Sequence, residues 1–192
     1  APAHLERYQQ LAEHALALAL DPVVPEHRRP RELPAGQWRG NGSDNGGDYL
    51  LFMAGEASVG FTAREAGEFA LALDVSADQA GPDKAAFEVL IDGTVIAAGR
   101  VNADNGGRET WQGKSKVAAG KHQLAVRFTN DYWDPQAADG RKDRNLRVHR
   151  AIVEGPVDGP PPAYPATRAR LWPARASGVT DDQHARQVLA AF

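Results

Sequence analysis

The sequence contains no cysteine and no long hydrophobic run. Without a thiol, the 192 residues cannot supply a cysteine nucleophile, a thiolate metal site, a disulfide or the covalent attachment of a c-type haem. The longest apolar run, "ALALAL" at Ala15–Leu20, is far shorter than the roughly 20 residues with which a helix crosses a bilayer. The sequence therefore predicts no membrane span, and cysteine use does not indicate a compartment.

An excess of positive charge is also missing. Lys and Arg number 22 against 25 Asp and Glu, which gives a formal net charge of -3. The sequence has no basic stripe of the kind that follows a phosphate backbone. Nucleic acid is therefore not a predicted partner.

Familiar catalytic patterns do not occur either. The six histidines show no paired zinc-binding spacing, and the sequence lacks a G-x-S-x-G motif, a phosphate-binding loop and a dinucleotide-binding glycine pattern. Acidic residues are plentiful, so a glycosidase with paired carboxylates stays open, but nothing in the sequence sets two acids apart. These absences favour a noncatalytic protein.

The first of three zones along the chain, residues 1–37, combines a helical pattern with a proline-rich segment. Apolar residues recur at spacings of three and four from Ala3 to Leu20, which predicts an amphipathic helix. The segment that follows has four prolines in 14 residues, which cannot continue a helix and disfavours a central strand. This segment is therefore predicted to be a linker.

The second zone, residues 38–156, has a period of two. In "FALALDV", "FEVLI" and "LAVRF", large apolar residues alternate with smaller or polar ones, as expected of half-buried strands. Asp92-Gly93 follows "FEVLI" and predicts a two-residue hairpin, because Gly adopts a positive φ without steric cost. Roughly seven short strands separated by turns predict an all-β fold, an antiparallel β-sandwich of jelly-roll type with short α-helices flanking it at both termini.

The third zone, residues 157–192, starts with a proline-rich segment that is predicted to be an extended connector. "TDDQ" at Thr180–Gln183 then has the pattern of a capping box, and apolar residues follow at helical spacing. Because this second helix stops on an apolar face, we expect the sequence to be a segment of a longer protein with neighbouring domains.

One loop of the central zone is rich in hard oxygen donors. The stretch "FTNDYWDPQAADGRKDRNLRVHRAIVEG", from Phe128 to Gly155, joins two predicted strands. Calcium binds about six to eight oxygens from carboxylates, amides and backbone carbonyls. Both ends of the loop could converge on one ion, because Asp131 closes one strand while Asp143 and Asn145 open the next.

The same residues have a simpler interpretation. Asx residues are common in loops because they satisfy local backbone groups, and Arg141, Lys142 and Arg144 could neutralise the acids as solvated salt bridges. No segment matches the helix-loop-helix calcium signature. An aromatic residue such as Trp133 could also serve only to cap the sandwich. Composition and spacing leave both interpretations open.

A family resemblance favours the calcium interpretation. "FTNDYWDP…DRNLRVHRAIVEGP" resembles the C-terminal part of calcium-dependent, xylan-binding-type carbohydrate-binding modules, and "LLFMAGEASVGFTAREAGEFALALDVSA" resembles their early strands. The likeness covers about residues 38–156. The flanking segments resemble connectors in large exported bacterial proteins that combine such a module with helical domains and c-type haem domains.

The resemblance implies a β-sandwich in which a calcium ion, held by a loop at the end of the sandwich, accepts neighbouring hydroxyls of a sugar. Where the family usually reads N-L-x-V-D, this chain reads "NLRVH", so His149 replaces an acid. The resemblance implies Asp131, Asp143 and Asn145 as metal ligands, and Tyr132 and Trp133 as sugar contacts. The oxygen donors of the same loop add Asp139 to the predicted ligands, and Asn130 and Asp134 to the predicted sugar contacts.

The leading prediction is a noncatalytic, calcium-dependent module that binds polysaccharide, xylan or a related plant-type glycan, within an exported protein that is polysaccharide-active or redox-linked. The alternative is a structural module that keeps the sandwich without the ligand and that spaces or docks neighbouring domains through its terminal helices. His149 and the apolar helix faces favour this alternative.

Overall fold

A computed structural model of the protein describes residues 2–21, 23–103 and 106–171, together with residues 178, 180, 182, 183 and 186. The chain forms two compact units. The larger unit, residues 27–159, contains every strand of the described residues. The smaller unit, residues 1–26 and 160–192, contains the helices α1 (Pro2–Leu20) and α2 (Ala166–Leu171).

The larger unit is built from short and medium strands joined by turns. Two short 3-10 turns, Glu26–Arg28 and Ala35–Gln37, flank the first strand. The strands of the described residues are β1 (Arg31–Pro34), β2 (Arg39–Gly40), β3 (Ser43–Asp44), β4 (Tyr49–Leu51), β5 (Gly55–Ala63), β6 (Gly67–Asp78), β7 (Ala86–Ile91), β8 (Thr94–Arg100), β9 (Glu109–Val117), β10 (Gly120–Phe128), β11 (Tyr132–Trp133) and β12 (Asp143–Glu154).

These strands form two antiparallel sheets. One sheet has the order β3-β4-β12-β6-β9, and β1 and β11 also pair with β12. The other sheet has the order β2-β5-β10-β7-β8. The prediction of an all-β, antiparallel sandwich with terminal helices is confirmed.

Strand β12 organises the first sheet and positions the candidate site. Along one edge it pairs in succession with β11, with β4 and with β1, while β6 pairs along its other edge from Asn145 to Glu154. The first residues of β12 therefore have β11 and the end of β4 on one side and the end of β6 on the other.

The predicted alternation of apolar residues describes the core of the sandwich. In β6, Phe69, Leu71, Leu73 and Val75 are all buried, and the alternating apolar residues of β7 and β10 join the same cluster. Each large apolar side chain contributes about 1.5–3 kcal/mol by leaving water. In β6 the side chains between them are small or polar and face outward.

Two segments predicted to be irregular contain regular structure. Strand β1 lies inside the predicted proline-rich linker and pairs with β12, so the β-unit begins before residue 38. Pro34 is compatible with this strand because it is the last residue of a short strand at the edge of the sheet. Helix α2 lies in the predicted extended connector, where Pro165 immediately precedes residues that favour helix.

Within the smaller unit, α2 donates to the end of α1. The Thr167 hydroxyl donates to the carbonyl of Ala19 at 2.9 Å, and Arg168 donates to the carbonyl of Leu20 at 2.9 Å. These bonds satisfy carbonyls that the last turn of a helix leaves free. The predicted capping box is present, since the backbone N–H groups of Thr180 and Gln183 donate to each other's side chains. The rest of the predicted second helix lies outside the described residues.

Neither described helix combines the length and the apolar character that crossing a bilayer requires.

The predicted hairpin at Asp92-Gly93 joins β7 to β8. Both residues have positive φ, 49° and 79°, as a type I′ turn requires. The Asp92 carboxylate lies 2.6 Å from Nδ1 of His122, whose Nε2 lies 2.9 Å from the carbonyl of Ala118. Both ring nitrogens therefore face acceptors, which favours the doubly protonated imidazolium.

The Asp92–His122 pair predicts a pH-dependent contribution to stability. Hydrogen bonding to Asp92 raises the pKa of His122, and hydrogen bonding to His122 lowers the pKa of Asp92. The stabilisation that comes from the lowered pKa of Asp92 is present above about pH 4 and is lost in acid. The stabilisation that comes from the raised pKa of His122 is complete below about pH 6.5 and is lost as the pH rises through that raised pKa. We expect Asp92→Asn to destabilise the protein by at most about 1 kcal/mol at pH 5.5 and by less at pH 8.5, as measured by urea denaturation. Asn accepts the same positive φ and the same bond from Gln123, so equal destabilisation at both pH values would contradict this account.

Candidate functional site

The loop between β10 and β12 folds back as a short hairpin. Tyr132 of β11 pairs with Arg144, and Trp133 pairs with Asp143. The backbone N–H of Asp134 donates to the carbonyl of Lys142 at 2.7 Å and extends this pairing. The hairpin thus places the strand that follows Asp131 beside the first residues of β12.

Asn145 is the centre of a polar group on the outer face of the sheet. Its Nδ2 donates to Oδ2 of Asp143 at 3.1 Å and to Oδ2 of Asp78 at 3.3 Å. Asp78 is the last residue of β6 and lies directly opposite Asn145. The Asn145 side chain is buried, with 8% of the residue exposed, so one amide group joins two carboxylates at the end of the sheet.

The carbonyl oxygen of this amide has no partner. Oδ1 of Asn145 is shielded from solvent and accepts no hydrogen bond among the described residues. A buried polar atom left unpaired is unfavourable. Rotating the amide by half a turn would place this oxygen against two carboxylates, an arrangement that becomes favourable only with a cation between them. The group therefore fits a hard divalent cation such as calcium.

The acidic side chains in and near this group differ in whether an arginine balances their charge. Arg147 donates to Asp78 at 2.9 Å and to Asp48 at 3.3 Å, so an arginine already balances Asp78. Asp131 and Asp143 form no ion pair in the part of the chain that the structure describes. Among the same residues, no three acidic or histidine side chains are gathered closely enough to hold a metal, so Asp131 is not part of the group that Asp78 and Asp143 form.

The two aromatic residues of β11 point to opposite sides. Trp133 pairs with Asp143 and is 63% exposed. The Tyr132 ring packs against Gly81, where a φ of +68° and the space beside the ring admit no side chain without a clash. The Arg144 guanidinium lies 5.2 Å from the centroid of the same ring. Trp133 is therefore available to a ligand, while Tyr132 holds the hairpin in place.

Buried Arg144 joins the loops behind the site, a role that the sequence did not predict. It donates to the backbone carbonyl of Asn130 at 2.7 Å and to that of Ala80. The Asn130 side chain accepts from the N–H of Ala86 at 2.7 Å and donates to the carbonyl of Lys84 at 2.9 Å. Asn130, predicted as a sugar contact, thus uses both ends of its amide within the protein.

Asp134 and Asp139 stabilise turns of the loop. Asp134 accepts from the backbone N–H of Gln136 at 2.9 Å. Asp139 accepts from the backbone N–H of Arg141 at 3.0 Å and from its guanidinium at 2.9 Å, and these bonds lower the pKa of the carboxyl group. Both oxygens of Asp139 are therefore engaged by one arginine, which balances the charge of this carboxylate within the loop.

His149 lies on the same face of β12 but apart from the group around Asn145. His149 comes four residues after Asn145, and four residues along a strand correspond to roughly 13 Å. Its Nε2 lies 2.9 Å from the hydroxyl of buried Ser76. Burial, and then the positive charge of Arg108, lowers the pKa of His149, so the ring is neutral at pH 7. The replacement of an acid by His149 therefore does not alter the ligands near Asn145.

Sequence reasoning missed Asp78 because no local signal marks it. It lies 67 residues before Asn145, at the end of a strand whose other residues are mainly apolar. Only the pairing of β6 with β12 brings the two together.

A two-sheet sandwich with a polar group and an exposed tryptophan at one end is suited to binding a ligand at that end. A family model described as "Ca-dependent carbohydrate-binding module xylan-binding", CBM60, matches residues 70–168, more than half of the chain. The chain belongs to this family. The matched range includes Asp78 and the whole hairpin.

Two solved structures share the fold. One is the CBM36-1 domain of a multidomain xylanase from the hindgut metagenome of Trinervitermes trinervoides, with 12% identity over 66% of this chain and 98% of that one and a TM-score of 0.51. The other is CBM35 from Cellvibrio japonicus Abf62, with 13% identity over 71% of this chain and 99% of that one and a TM-score of 0.51. No curated protein matched the chain.

Proposed function

We propose that this module binds a polysaccharide, xylan or a related plant-type glycan, in a calcium-dependent manner. The observation that carries the proposal is the buried amide of Asn145, which joins Asp78 and Asp143 and has an unpaired carbonyl oxygen. The family description, calcium-dependent and xylan-binding, agrees with that donor set.

Asp143 and Asn145 would hold the ion, with Asp78 as a third oxygen donor. A bound calcium ion exchanges some of its water ligands for neighbouring sugar hydroxyls. Because these side chains supply few donors, backbone carbonyls and water would complete the coordination. Asp131, predicted as a ligand from the sequence, is exposed at the start of the hairpin and lies outside this group. Trp133 would cover the apolar face of a sugar ring beside Asp143, since aromatic faces pack well on CH groups.

The flanking segments favour a place in a larger protein. Several apolar side chains of α1 are exposed, including Tyr8, Leu11 and Leu18, which is suited to contact with neighbouring domains. We propose that this protein is exported, because plant-type polysaccharides lie outside the cell, and that c-type haem domains are among its neighbours, as the resemblance of the flanks implies. A spacer or docking role through α1 is the second candidate function.

A retention assay tests the proposal. We expect the protein to be retained on insoluble xylan in millimolar calcium, to be released by a chelator and to be retained again when calcium is restored. Magnesium is the control ion, because it demands a smaller octahedral site and releases its water reluctantly. Retention that the chelator does not change would contradict the calcium part of the proposal, and no retention on any plant-type glycan would favour the spacer role.

A further inference from the structure

Arg147 places a positive charge beside the candidate calcium site. It follows Asn145 by two residues on β12, so both side chains face the outer side of the sheet. Its Nη2 donates to Oδ2 of Asp78 at 2.9 Å, and the same oxygen accepts from Nδ2 of Asn145 at 3.3 Å. The carboxylate that would be the third oxygen donor of the site is therefore already bonded to a cation of the protein.

Asp48 holds the other end of the same guanidinium. Nη1 of Arg147 donates to the two oxygens of Asp48 at 3.3 and 3.4 Å. Asp48 immediately precedes β4, and its backbone carbonyl accepts from the N–H of Asn45 at 2.9 Å, which closes the turn between β3 and β4. One arginine thus bridges this turn and the end of β6, on opposite sides of β12.

Water screens the charges of this bridge only in part. The side chains of Arg147 and Asp48 are 25% and 16% exposed, and that of Asp78 is 38% exposed. Buried Arg144 donates to backbone carbonyls instead, so among the described residues Arg147 alone balances these two acids. Interactions between charges strengthen where water is partly excluded. Removal of the guanidinium would leave both carboxylates without a counter-charge.

A calcium ion bound at Asn145 meets this arginine in two ways. The ion and the guanidinium repel each other across two residues of a strand, which correspond to roughly 7 Å. To use Asp78 as a ligand, the ion must also draw that carboxylate away from Arg147. Calcium affinity depends on the number of charged ligands, and a cation held among them opposes their effect.

We propose that Arg147 lowers the calcium affinity of the site by competing with the ion for Asp78. This inference rests on the proposed function. Without calcium, the guanidinium holds both Asp78 and Asp48. When calcium binds, Asp78 turns to the ion and Arg147 stays with Asp48. The site therefore fills at a higher calcium concentration than its acidic residues alone would require, which makes glycan binding sensitive to the calcium level of the surroundings.

Replacement of Arg147 by Gln tests the competition, because it removes the charge and keeps a polar side chain. We expect Arg147→Gln to bind calcium about 3- to 10-fold more tightly in isothermal titration calorimetry. In a chelator, its melting temperature is expected to be about 2–5 °C below that of the unsubstituted protein, because Asp48 and Asp78 lose their shared partner. This difference is expected to shrink in millimolar calcium, since the ion takes the place of the lost charge.

Arg150→Gln is the matched control. Arg150 lies on the same strand and also bridges two acids, donating to Asp74 at 2.7 Å and to Glu32 at 3.0 Å, but neither acid belongs to the candidate site. We expect Arg150→Gln to leave the calcium affinity unchanged and to lower the melting temperature equally with and without calcium. Arg147→Lys keeps the charge and is expected to bind calcium as weakly as the unsubstituted protein. Arg147→Met is a second neutral variant, for which we expect the same tightening as for Arg147→Gln.

The variants separate the competition from a general effect of charge. Tighter calcium binding by the neutral variants of Arg147, with unchanged binding by Arg147→Lys and Arg150→Gln, supports the competition. Unchanged or weaker calcium binding by the neutral variants, or equal tightening by Arg150→Gln, overturns it and leaves the proposed function intact. No calcium binding by the unsubstituted protein overturns the calcium part of the proposed function and the competition with it.

Discussion

Replacement of Asp143 by Asn is expected to abolish the rise in melting temperature that calcium produces in the unsubstituted protein. A ligand that binds only the folded state stabilises it by about 2.7 kcal/mol at 100 times its dissociation constant, which corresponds to a rise of about 10 °C for a unit of this size. Asp143→Asn removes the charge while keeping the shape, and Asp143 forms no ion pair in the described part of the chain. The measurement is a thermal melt with and without calcium.

Asp139→Asn is the matched control for this experiment. It is the same substitution in the same loop, but both oxygens of Asp139 are bonded to Arg141. We expect Asp139→Asn to retain the calcium response in full. A calcium response that survives Asp143→Asn and disappears in Asp139→Asn would show that the ion is held elsewhere in the loop.

Replacement of Trp38 by Ala is expected to lower the free energy of unfolding more than Asp92→Asn or Trp133→Ala does. The Trp38 side chain is fully buried, with 0% exposed, and its Nε1 donates to the carbonyl of Leu33 at 3.5 Å. Truncating a buried tryptophan removes its transfer free energy and leaves a cavity, which together cost about 3–5 kcal/mol. This loss is a large fraction of the free energy of unfolding of a typical domain, so we expect the urea concentration at the midpoint of unfolding to fall markedly.

Trp133→Ala is the control that separates stability from binding. Trp133 is exposed, so its truncation is expected to change the free energy of unfolding by about 0.5 kcal/mol or less. The same substitution is expected to weaken glycan binding, because it removes the aromatic ring that lies beside Asp143. A loss below about 1 kcal/mol for Trp38→Ala would mean that the core can refill the space, contrary to its close packing.

The sandwich could be predicted from the sequence because its strongest signals are local. The alternation in β6, β7 and β10 identifies strands with one buried face, and Asp92-Gly93 identifies a hairpin by the backbone geometry that only a few residues allow. The short strand β1 escaped prediction because its burial comes from pairing with β12 and not from a pattern of its own.

The candidate site was only partly predictable. Asp143, Asn145 and Trp133 lie in one stretch of sequence, and oxygen donors near an aromatic residue indicate a binding loop. The sequence did not show that Asn130 and Tyr132 serve internal contacts, because their partners belong to another loop, which includes Gly81 and Lys84. Donor type alone does not distinguish a metal ligand from a structural clamp.

By itself, the amino-acid sequence determined the fold class, the strands of the core and the loop in which binding was to be sought, because side-chain periodicity, turn geometry and donor chemistry are properties of neighbouring residues. Only the tertiary structure decided which oxygens meet and which aromatic residues stay exposed. Asp78 adjoins Asn145, and Asp48 adjoins Arg147, through strand pairing between distant segments, and the strand register that brings these residues together is set when the two sheets bury their apolar faces.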